Sequence, residues 1–285
     1  MGVRVRIVLY APQEVTARTA AASAFERFAE LEAVMSDYRS DSELMRLCDR
    51  AGEGPVPVSE DLFVVLESAQ EVAALSGGAF DITAGPLIRL WREARKSGVM
   101  PGRKELDEAR NRVGWEGLRL DKVRRTAELM KPKMRLDLGG IAKGYACDEA
   151  LRALAAHGIE RALVEAGGDI AASGPPPGET GWRIAVRGSP KREVLIAHEA
   201  VSTSGDTEQY VEIDGTRYSH IVDPRTGLGV TTRIQATVIA KNGLTTDPLA
   251  TAFCVLGPDD AERLQKRYGA KVMFVTAKNG EHAAR

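Results

Sequence analysis

Segment 244–252 carries the residues best suited to hold a divalent cation. Asp247 and Thr251 are four positions apart, and residues with that spacing lie on one face of a helix. Pro248 fits the first helical position, which predicts that Asp247 is the N-cap of a helix. A carboxylate, a hydroxyl and nearby backbone carbonyls are the hard oxygen ligands that Mg²⁺ prefers. A helix that Asp247 merely caps would show the same residues.

A second segment, 134–148, predicts a phosphate-binding turn. Its pattern is a strand over 134–138, a glycine pair at 139–140 and a helix over 141–156. The free N–H groups and the positive dipole at a helix N-terminus bind phosphate. Lys143 lies in the first helical turn, where the dipole disfavours a cation, and this indicates a nearby anion. An ordinary strand–turn–helix connection explains these residues about as well.

Three more segments add polar groups that suit a ligand cleft. The glycine pair at 167–168 also follows a strand and could line the opposite wall, although a strand end with a bulge explains it too. His220 is the histidine that lies in a dense polar run, next to a turn-forming Asp-Pro-Arg-Thr-Gly sequence. Residues 202–204 supply three consecutive hydroxyls for hydrogen bonds to a ring edge or a phosphate.

The elements that must position these residues are strands and helices without strict alternation. A strand is predicted over 3–10 and a helix over 15–35, followed by helices capped at residues 40–43 and at Ser59. Further strands are predicted over 161–166, 182–187, 193–197, 209–213 and 233–240, then a helix from Asp247, a last helix and a hairpin around 278–280. We find no repeat and no long linker, so the pattern predicts one domain, 1–285, of the α+β class.

Composition narrows the class of protein. The chain has 285 residues, 44% hydrophobic, with a net charge of −1. The balanced charge argues against nucleic acid as a partner, and no apolar run is long enough for a membrane-spanning helix. The three cysteines are widely spaced and predict reduced thiols. The N-terminus has no signal-like segment, so we expect a cytoplasmic protein, or a periplasmic one if an export signal preceded Met1.

Taken in order, the motifs resemble the ApbE family of FAD:protein FMN transferases. The resemblance covers nearly the whole chain. Its blocks are Met-Gly at 1–2, Met-Ser-Asp-Tyr at 35–38, Gly-Ala-Phe-Asp-Ile-Thr-Ala-Gly-Pro-Leu at 78–87, Asp-Leu-Gly-Gly-Ile-Ala-Lys-Gly at 137–144, Gly-Gly-Asp-Ile at 167–170, Thr-Ser-Gly-Asp at 203–206, His-Ile-Val-Asp-Pro-Arg-Thr-Gly at 220–227 and Asp-Pro-Leu-Ala-Thr at 247–251.

The resemblance implies a mixed α+β fold with two closely packed lobes and an FAD cleft between them. It also implies that FMN is transferred from FAD to a Thr or Ser hydroxyl of an acceptor flavoprotein, with Mg²⁺ as cofactor and AMP as product. The FAD-binding residues that it implies are Met1, Tyr38, Ala79, Phe80, Asp81, Asp137, Lys143, Gly144, Ser204, His220 and Ile221. The metal ligands that it implies are the side chains of Asp247 and Thr251 and the carbonyls of Gly140 and Ala250.

His220 and Asp247 are the candidate catalytic residues. An unperturbed histidine pKa of about 6.5 suits a general base at neutral pH. The sequence departs from the family pattern at Val3, where Thr is usual, at Glu165, where Asn is common, and at Pro248, where Ala is usual. Two alternatives stay open: an FAD hydrolase that yields FMN and AMP, and an FAD-holding protein without chemistry. The sequence does not identify the acceptor.

Overall fold

The structure is a computed structural model that describes residues 2–186, 193–206, 209–278 and 281–284. Met1, a predicted FAD contact, lies outside the described residues, and so do positions 279 and 280 at the tip of the predicted C-terminal hairpin. Within the described ranges the helices are α1 Glu14–Met35, α2 Glu43–Asp49, α3 Glu60–Ser76, α4 Gly85–Ser97, α5 Arg103–Arg110, α6 Ala142–Ala156, α7 Gly243–Leu256 and α8 Glu262–Tyr268.

Sixteen short strands are found in the same part of the chain. They are β1 Val5–Tyr10, β2 Val56–Pro57, β3 Leu118–Asp121, β4 Thr126–Leu129, β5 Arg161–Ala166, β6 Asp169–Ala172, β7 Trp182–Ala185, β8 Glu193–Ile196, β9 Glu199–Ser204, β10 Tyr210–Ile213, β11 Thr216–Ser219, β12 Val222–Asp223, β13 Leu228–Gly229, β14 Ile234–Ala240, β15 Lys271–Lys278 and β16 Glu281–Ala284. This mixture of helices and strands confirms the predicted α+β class.

The main lobe is built on a seven-stranded antiparallel sheet in the order β1-β5-β6-β9-β14-β15-β16. Successive residues of a strand face opposite sides of the sheet, and here both sides are covered. Ala162 and Val164 of β5 join the main core, which also contains the buried faces of α1, α3, α6 and α7. Leu163, between them, packs with Trp182 and Ile196 of the β7–β8 hairpin on the other side. The sheet therefore supports α6 and α7, which pack on one of its faces.

A small lobe consists of α4, α5 and the hairpins β10–β11 and β12–β13. Leu87 and Trp91 of α4 form its core with Val211, Ile213 and Val222 of the hairpins. The Trp91 indole N–H also donates to the carbonyl oxygen of Gly227, at 2.9 Å, which ties α4 to the turn between β12 and β13. Burial of these apolar side chains holds the hairpins beside the helix.

Several element predictions are confirmed in their type and position. Ser59 caps α3 by accepting a hydrogen bond from the Leu62 N–H, and Gly77 ends that helix in the left-handed conformation. The predicted capping box began at Ser40, but the N-cap of α2 is Ser42, whose side chain accepts from the Met45 N–H. The strands β1, β5, β10 and β14 all fall within predicted segments.

Two predictions near the site are wrong. Segment 134–138 is not a strand of any sheet. Two of its N–H groups bond elsewhere: Asp137 N–H donates to the carbonyl of Ile82 and Leu136 N–H to the sulfur of Cys48. Helix α7 begins at Gly243, not at Pro248, and its N-cap is Asn242, whose side chain accepts from Thr245 N–H. Pro248 therefore lies inside the helix.

No helix in the described part of the chain is long and apolar enough to cross a membrane.

Candidate active site

A cleft between the main lobe and the small lobe gathers most of the predicted site residues. Those that line it are Tyr38, Ala79, Phe80, Asp81, Asp137, Gly140, Lys143, Ser204, His220, Ile221, Asp247 and Thr251. These residues come from distant parts of the chain. Elements packed on the large sheet form one wall of the cleft, and the small lobe with α4 forms the other. The structure thus brings the segment near position 250 against the glycine pair at 139–140, the arrangement that the family resemblance implied.

The crossing of α6 and α7 positions the Asp247 carboxylate. A Cβ atom at Gly144 would lie 2.1 Å from the carbonyl oxygen of Gly243, so these two glycines let the helix backbones touch. The Gly144 N–H donates to Asp247 Oδ2 at 3.1 Å. At the same crossing, Asp148 accepts from the N–H groups of Gly243 and Leu244 and so caps the start of α7. Gly144 therefore contacts α7 and does not line the cleft.

Lys143 lies between two buried carboxylates. Its Nζ atom is 3.0 Å from Asp169 Oδ2 and 3.3 Å from Asp247 Oδ2, and it donates to the carbonyl oxygen of Gly139 at 2.6 Å. Burial alone would lower the pKa of Lys143, but Asp169 and Asp247 outweigh it and raise this pKa above its usual range. The anion that the sequence pattern indicated is thus present as two protein carboxylates.

The negative charge of the Asp247 carboxylate is only partly compensated by nearby protein groups. Burial, and then the neighbouring Asp169, raise its pKa to about 7, against the opposing effect of Lys143. Two carboxylates share one ammonium, so a full ionisation leaves one uncompensated negative charge in a buried place. A divalent cation bound to Asp247 would offset that charge.

The residues around Asp247 fit a hard cation. Thr251 follows it by one helical turn and also lines the cleft, and a Cβ atom at Gly140 would lie 2.9 Å from Thr251 Oγ1. The absence of a side chain at Gly140 therefore brings its backbone beside Thr251. Among the described residues no group of three or more His, Cys, Asp or Glu side chains is arranged to hold a metal ion. The donor set is one carboxylate with a hydroxyl and a backbone carbonyl, which suits Mg²⁺ that keeps waters and substrate oxygens.

Ala250 is placed differently from the other predicted ligands. It is fully buried in the middle of α7, where a carbonyl accepts the helical hydrogen bond from the residue four positions later. A metal at Ala250 would have to use the second lone pair of that oxygen. The role of Ala250 stays a prediction.

The segment 79–81 forms one wall of the cleft beside the glycine pair. A Cβ atom at Gly140 would lie 3.3 Å from the ring of Phe80, so this ring packs next to Gly140. Asp81 accepts from both the N–H and the hydroxyl of Thr83, and burial raises its pKa to about 6. Asp81 thus fixes the local turn as well as lining the cleft.

Arg92 of α4 binds two carboxylates of the cleft lining. Its guanidinium donates to the carboxylates of Asp37 and Asp137 and lies 4.7 Å from the ring centroid of Tyr38. Tyr38 is 76% exposed, so an aromatic ligand can reach its ring. Burial and the nearby Asp37 raise the pKa of Asp137, while its Oδ1 accepts from the Gly139 N–H.

His220 lines the cleft from the small lobe. Its Nδ1 atom is 3.1 Å from the carbonyl oxygen of Gln209, and a carbonyl can only accept, so Nδ1 carries the proton and Nε2 is free to accept one. Burial lowers the pKa of His220 despite this hydrogen bond. The neutral ring is therefore the form present at neutral pH. Ile221, the next residue, is buried against the main core.

Ser204 and Val3 line the cleft, whereas Glu165, another departure from the family pattern, does not. The Ser204 hydroxyl is 3.3 Å from Thr251 Oγ1, so it lies beside the predicted metal ligand. Val3 lines the cleft and packs against Gly167, whose Cβ would lie 2.9 Å from it. Glu165 lies opposite Arg6 in the sheet and pairs with it at 2.9 Å. That departure therefore affects an exposed ion pair and leaves the cleft wall unchanged.

Sequence reasoning missed three residues with clear roles in this site. Asp169 holds Lys143, Asp148 caps α7, and Arg92 holds Asp137. The glycine pair before Asp169 is a two-residue hairpin turn with φ of 60° and 100°, which joins β5 to β6. A short turn between paired strands is a readable signal, and it would have placed Asp169 at the first position of β6.

The chain is similar along its length to one known family. The profile of the ApbE family matches residues 1–274. The FAD:protein FMN transferase of Escherichia coli K12 is 33% identical over 254 residues, which cover 85% of this chain and 72% of that protein. The FAD:protein FMN transferase of Vibrio cholerae is 37% identical over 241 residues, which cover 81% of this chain and 71% of that protein.

Solved structures show the same similarity in three dimensions. The flavin transferase ApbE from Vibrio cholerae superimposes with a TM-score of 0.87 at 32% identity, covering 100% of this chain and 94% of that chain. The ApbE protein from Thermotoga maritima gives a TM-score of 0.88 at 33% identity, covering 99% and 94%.

Proposed function

The chain belongs to the ApbE family, and we propose that it is an Mg²⁺-dependent FAD:protein FMN transferase. It attaches FMN through a phosphoester to a Thr or Ser hydroxyl of an acceptor flavoprotein and releases AMP. The observation that carries this proposal is the meeting of Gly140 and Lys143 with Asp247 and Thr251 in one cleft. A cation site and a cationic side chain at the same place suit a ligand that contains a diphosphate.

The reaction needs charge stabilisation more than covalent chemistry by the protein. The acceptor hydroxyl oxygen forms a bond to the FMN phosphorus, the bond from that phosphorus to the bridging oxygen breaks, and AMP leaves with the electron pair. Bound Mg²⁺ would supply positive charge to the diphosphate oxygens. Asp247, Thr251 and Gly140 would hold it, together with Ala250 as a further carbonyl ligand.

Lys143 supplies a second positive charge. Its ammonium is held on one side by Asp169, at 3.0 Å, and by the Gly139 carbonyl, at 2.6 Å. A charge that is already fixed in position needs little reorganisation when negative charge develops on the substrate. Lys143 is therefore a preorganised electrostatic group near the transferred phosphate.

His220 accepts the proton of the acceptor hydroxyl in this proposal. Nδ1 is bonded to Gln209, so Nε2 is the atom that takes the proton. The lowered pKa of the ring keeps this atom unprotonated at neutral pH. The small lobe thus contributes the base, and the main lobe contributes the charge that stabilises the phosphate.

Mass spectrometry of an acceptor protein tests the function. The purified enzyme is incubated with FAD, Mg²⁺ and a flavin-accepting subunit, and a matched reaction contains EDTA. We expect covalent FMN on a Thr or Ser of the acceptor and one AMP for each FMN attached, both only with Mg²⁺. Free FMN without labelled acceptor would contradict the transferase and support the hydrolase. FAD that stays intact with both Mg²⁺ and acceptor present would support a protein without chemistry.

A further inference from the structure

Arg95, in the last turn of α4, is a cation without a counter-ion in the described part of the chain. It forms no ion pair there, and its Nη1 atom is buried without a hydrogen-bond partner. Burial and the nearby Arg92 lower its pKa, and Tyr38 opposes this effect. A buried donor left without an acceptor costs stability, so the protein keeps an unfavourable group at this position.

The other basic residues of α4 do not share this condition. Arg92 is neutralised by Asp37 and Asp137, and Lys96 pairs with Glu93 at 2.9 Å. A cation near a helix C-terminus gains energy from the helix dipole, but exposed Lys96 provides that gain without burial. The dipole therefore does not explain why Arg95 is partly buried.

The position of Arg95 indicates what it binds. Its side chain lines the cleft together with Tyr38 and His220, and the same cleft extends to Lys143 and Asp247. Because Asp247, Tyr38 and Arg95 line the same cleft, a dinucleotide bound there with its diphosphate at Asp247 would have its ring systems within that cleft. A guanidinium donates several N–H bonds in a planar fork and also stacks on aromatic rings.

We propose that Arg95 is a further FAD-binding residue, which contacts a heterocyclic ring of FAD beside Tyr38. The proposal rests on the proposed function. The ring's nitrogen and oxygen atoms accept hydrogen bonds from the guanidinium, whose Nη1 atom has no partner among the described residues. The Arg92 guanidinium lies over the Tyr38 ring, and Arg95 donates hydrogen bonds to the FAD ring.

Binding measurements without Mg²⁺ test this role, because FAD then stays intact. Wild type, Arg95→Ala and Arg95→Lys are titrated with FAD, and flavin fluorescence is followed. Arg89→Ala is the matched control, since Arg89 lies on the same helix and lines only the neighbouring cavity. We expect the Kd for FAD to rise about tenfold in Arg95→Ala, which is about 1.4 kcal/mol. We expect a smaller rise in Arg95→Lys and none in Arg89→Ala.

Thermal unfolding separates a binding role from a structural one. Removal of an unsatisfied buried donor leaves the Tm of the free protein unchanged or raises it, whereas FAD should raise the Tm of Arg95→Ala less than that of wild type. A lower Tm of free Arg95→Ala would show a structural residue and overturn the proposal. An unchanged Kd for FAD with an increased KM for the acceptor would overturn it too and assign Arg95 to the acceptor. A wild-type protein that does not bind FAD would remove the proposed function itself.

Discussion

Gly144 and Gly243 touch through their backbones, since a Cβ atom at Gly144 would lie 2.1 Å from the Gly243 carbonyl oxygen. This contact sets the crossing of α6 and α7, and the Asp247 carboxylate bonds to the N–H of the same Gly144. The same residue, Gly144, therefore determines both how the two helices pack and where the candidate metal ligand Asp247 lies.

Gly144→Ala should destabilise the protein although alanine favours helices. The methyl group must push two backbones apart, and overpacking of this kind costs about 1–3 kcal/mol. The midpoint of urea unfolding measures the effect. Gly102→Ala is the control, because Gly102 has an ordinary φ of −62° and a Cβ there meets only the end of the Glu105 side chain. A Gly144→Ala protein as stable as wild type would contradict the close contact.

Asp247→Ala should reduce turnover strongly and leave much of the FAD binding. Asp247 provides the carboxylate of the proposed Mg²⁺ site, so its loss removes charge stabilisation that matters most as the phosphorus reacts. We expect FMN transfer to fall by about 10²–10³-fold, while the Kd for FAD without metal changes little. Asp107→Ala, which removes an exposed carboxylate on α5, is the control. Equal transfer rates in wild type and Asp247→Ala would rule out this metal site.

Asp169→Asn should weaken the response to Mg²⁺. Its carboxylate adds negative charge near Asp247 and holds Lys143 at 3.0 Å, so the neutral amide makes the site less attractive to a divalent cation. We expect the half-saturating Mg²⁺ concentration to rise about tenfold, about 1.4 kcal/mol, with most of the maximal rate recovered at high Mg²⁺. Calorimetric titration with Mg²⁺ provides a second measurement. A lower maximal rate with unchanged Mg²⁺ dependence would contradict this role.

The pH profile of FMN transfer should reflect His220. Its pKa lies below the ordinary value of 6.5 because of burial, so the ring is neutral at pH 7 and takes up a proton only as the pH falls below that value. We expect kcat/KM to fall on that acid side when Mg²⁺ is saturating and Asp247 stays ionised. His220→Gln should lower the rate by about 10²–10⁴-fold and remove this acid limb. A variant with the wild-type profile would exclude His220 as the base.

Local sequence patterns were sufficient for some parts of the site. The four-residue spacing of Asp247 and Thr251 predicted that both lie on one helical face, and both do line the cleft. The same local signals misplaced the start of α7, because Asn242 and Asp148 bind its first N–H groups. Asp148 lies almost a hundred positions earlier in the chain, so no local capping rule could include it.

The sequence by itself determined the α+β class, the helix caps such as Ser59 and, through the order of its motifs, the family. The class and the caps depend on residues within one or two turns of each other, whose local interactions are largely independent of the rest of the fold. The family depends on the order of motifs along nearly the whole chain. Only the tertiary structure decided that Lys143 is held by Asp169 and Asp247, that Gly144 serves helix packing, and that Arg95 forms no ion pair with any residue that the structure describes. Each of these depends on which distant groups share a buried place, and there the distance between charges and the exclusion of water set the energy.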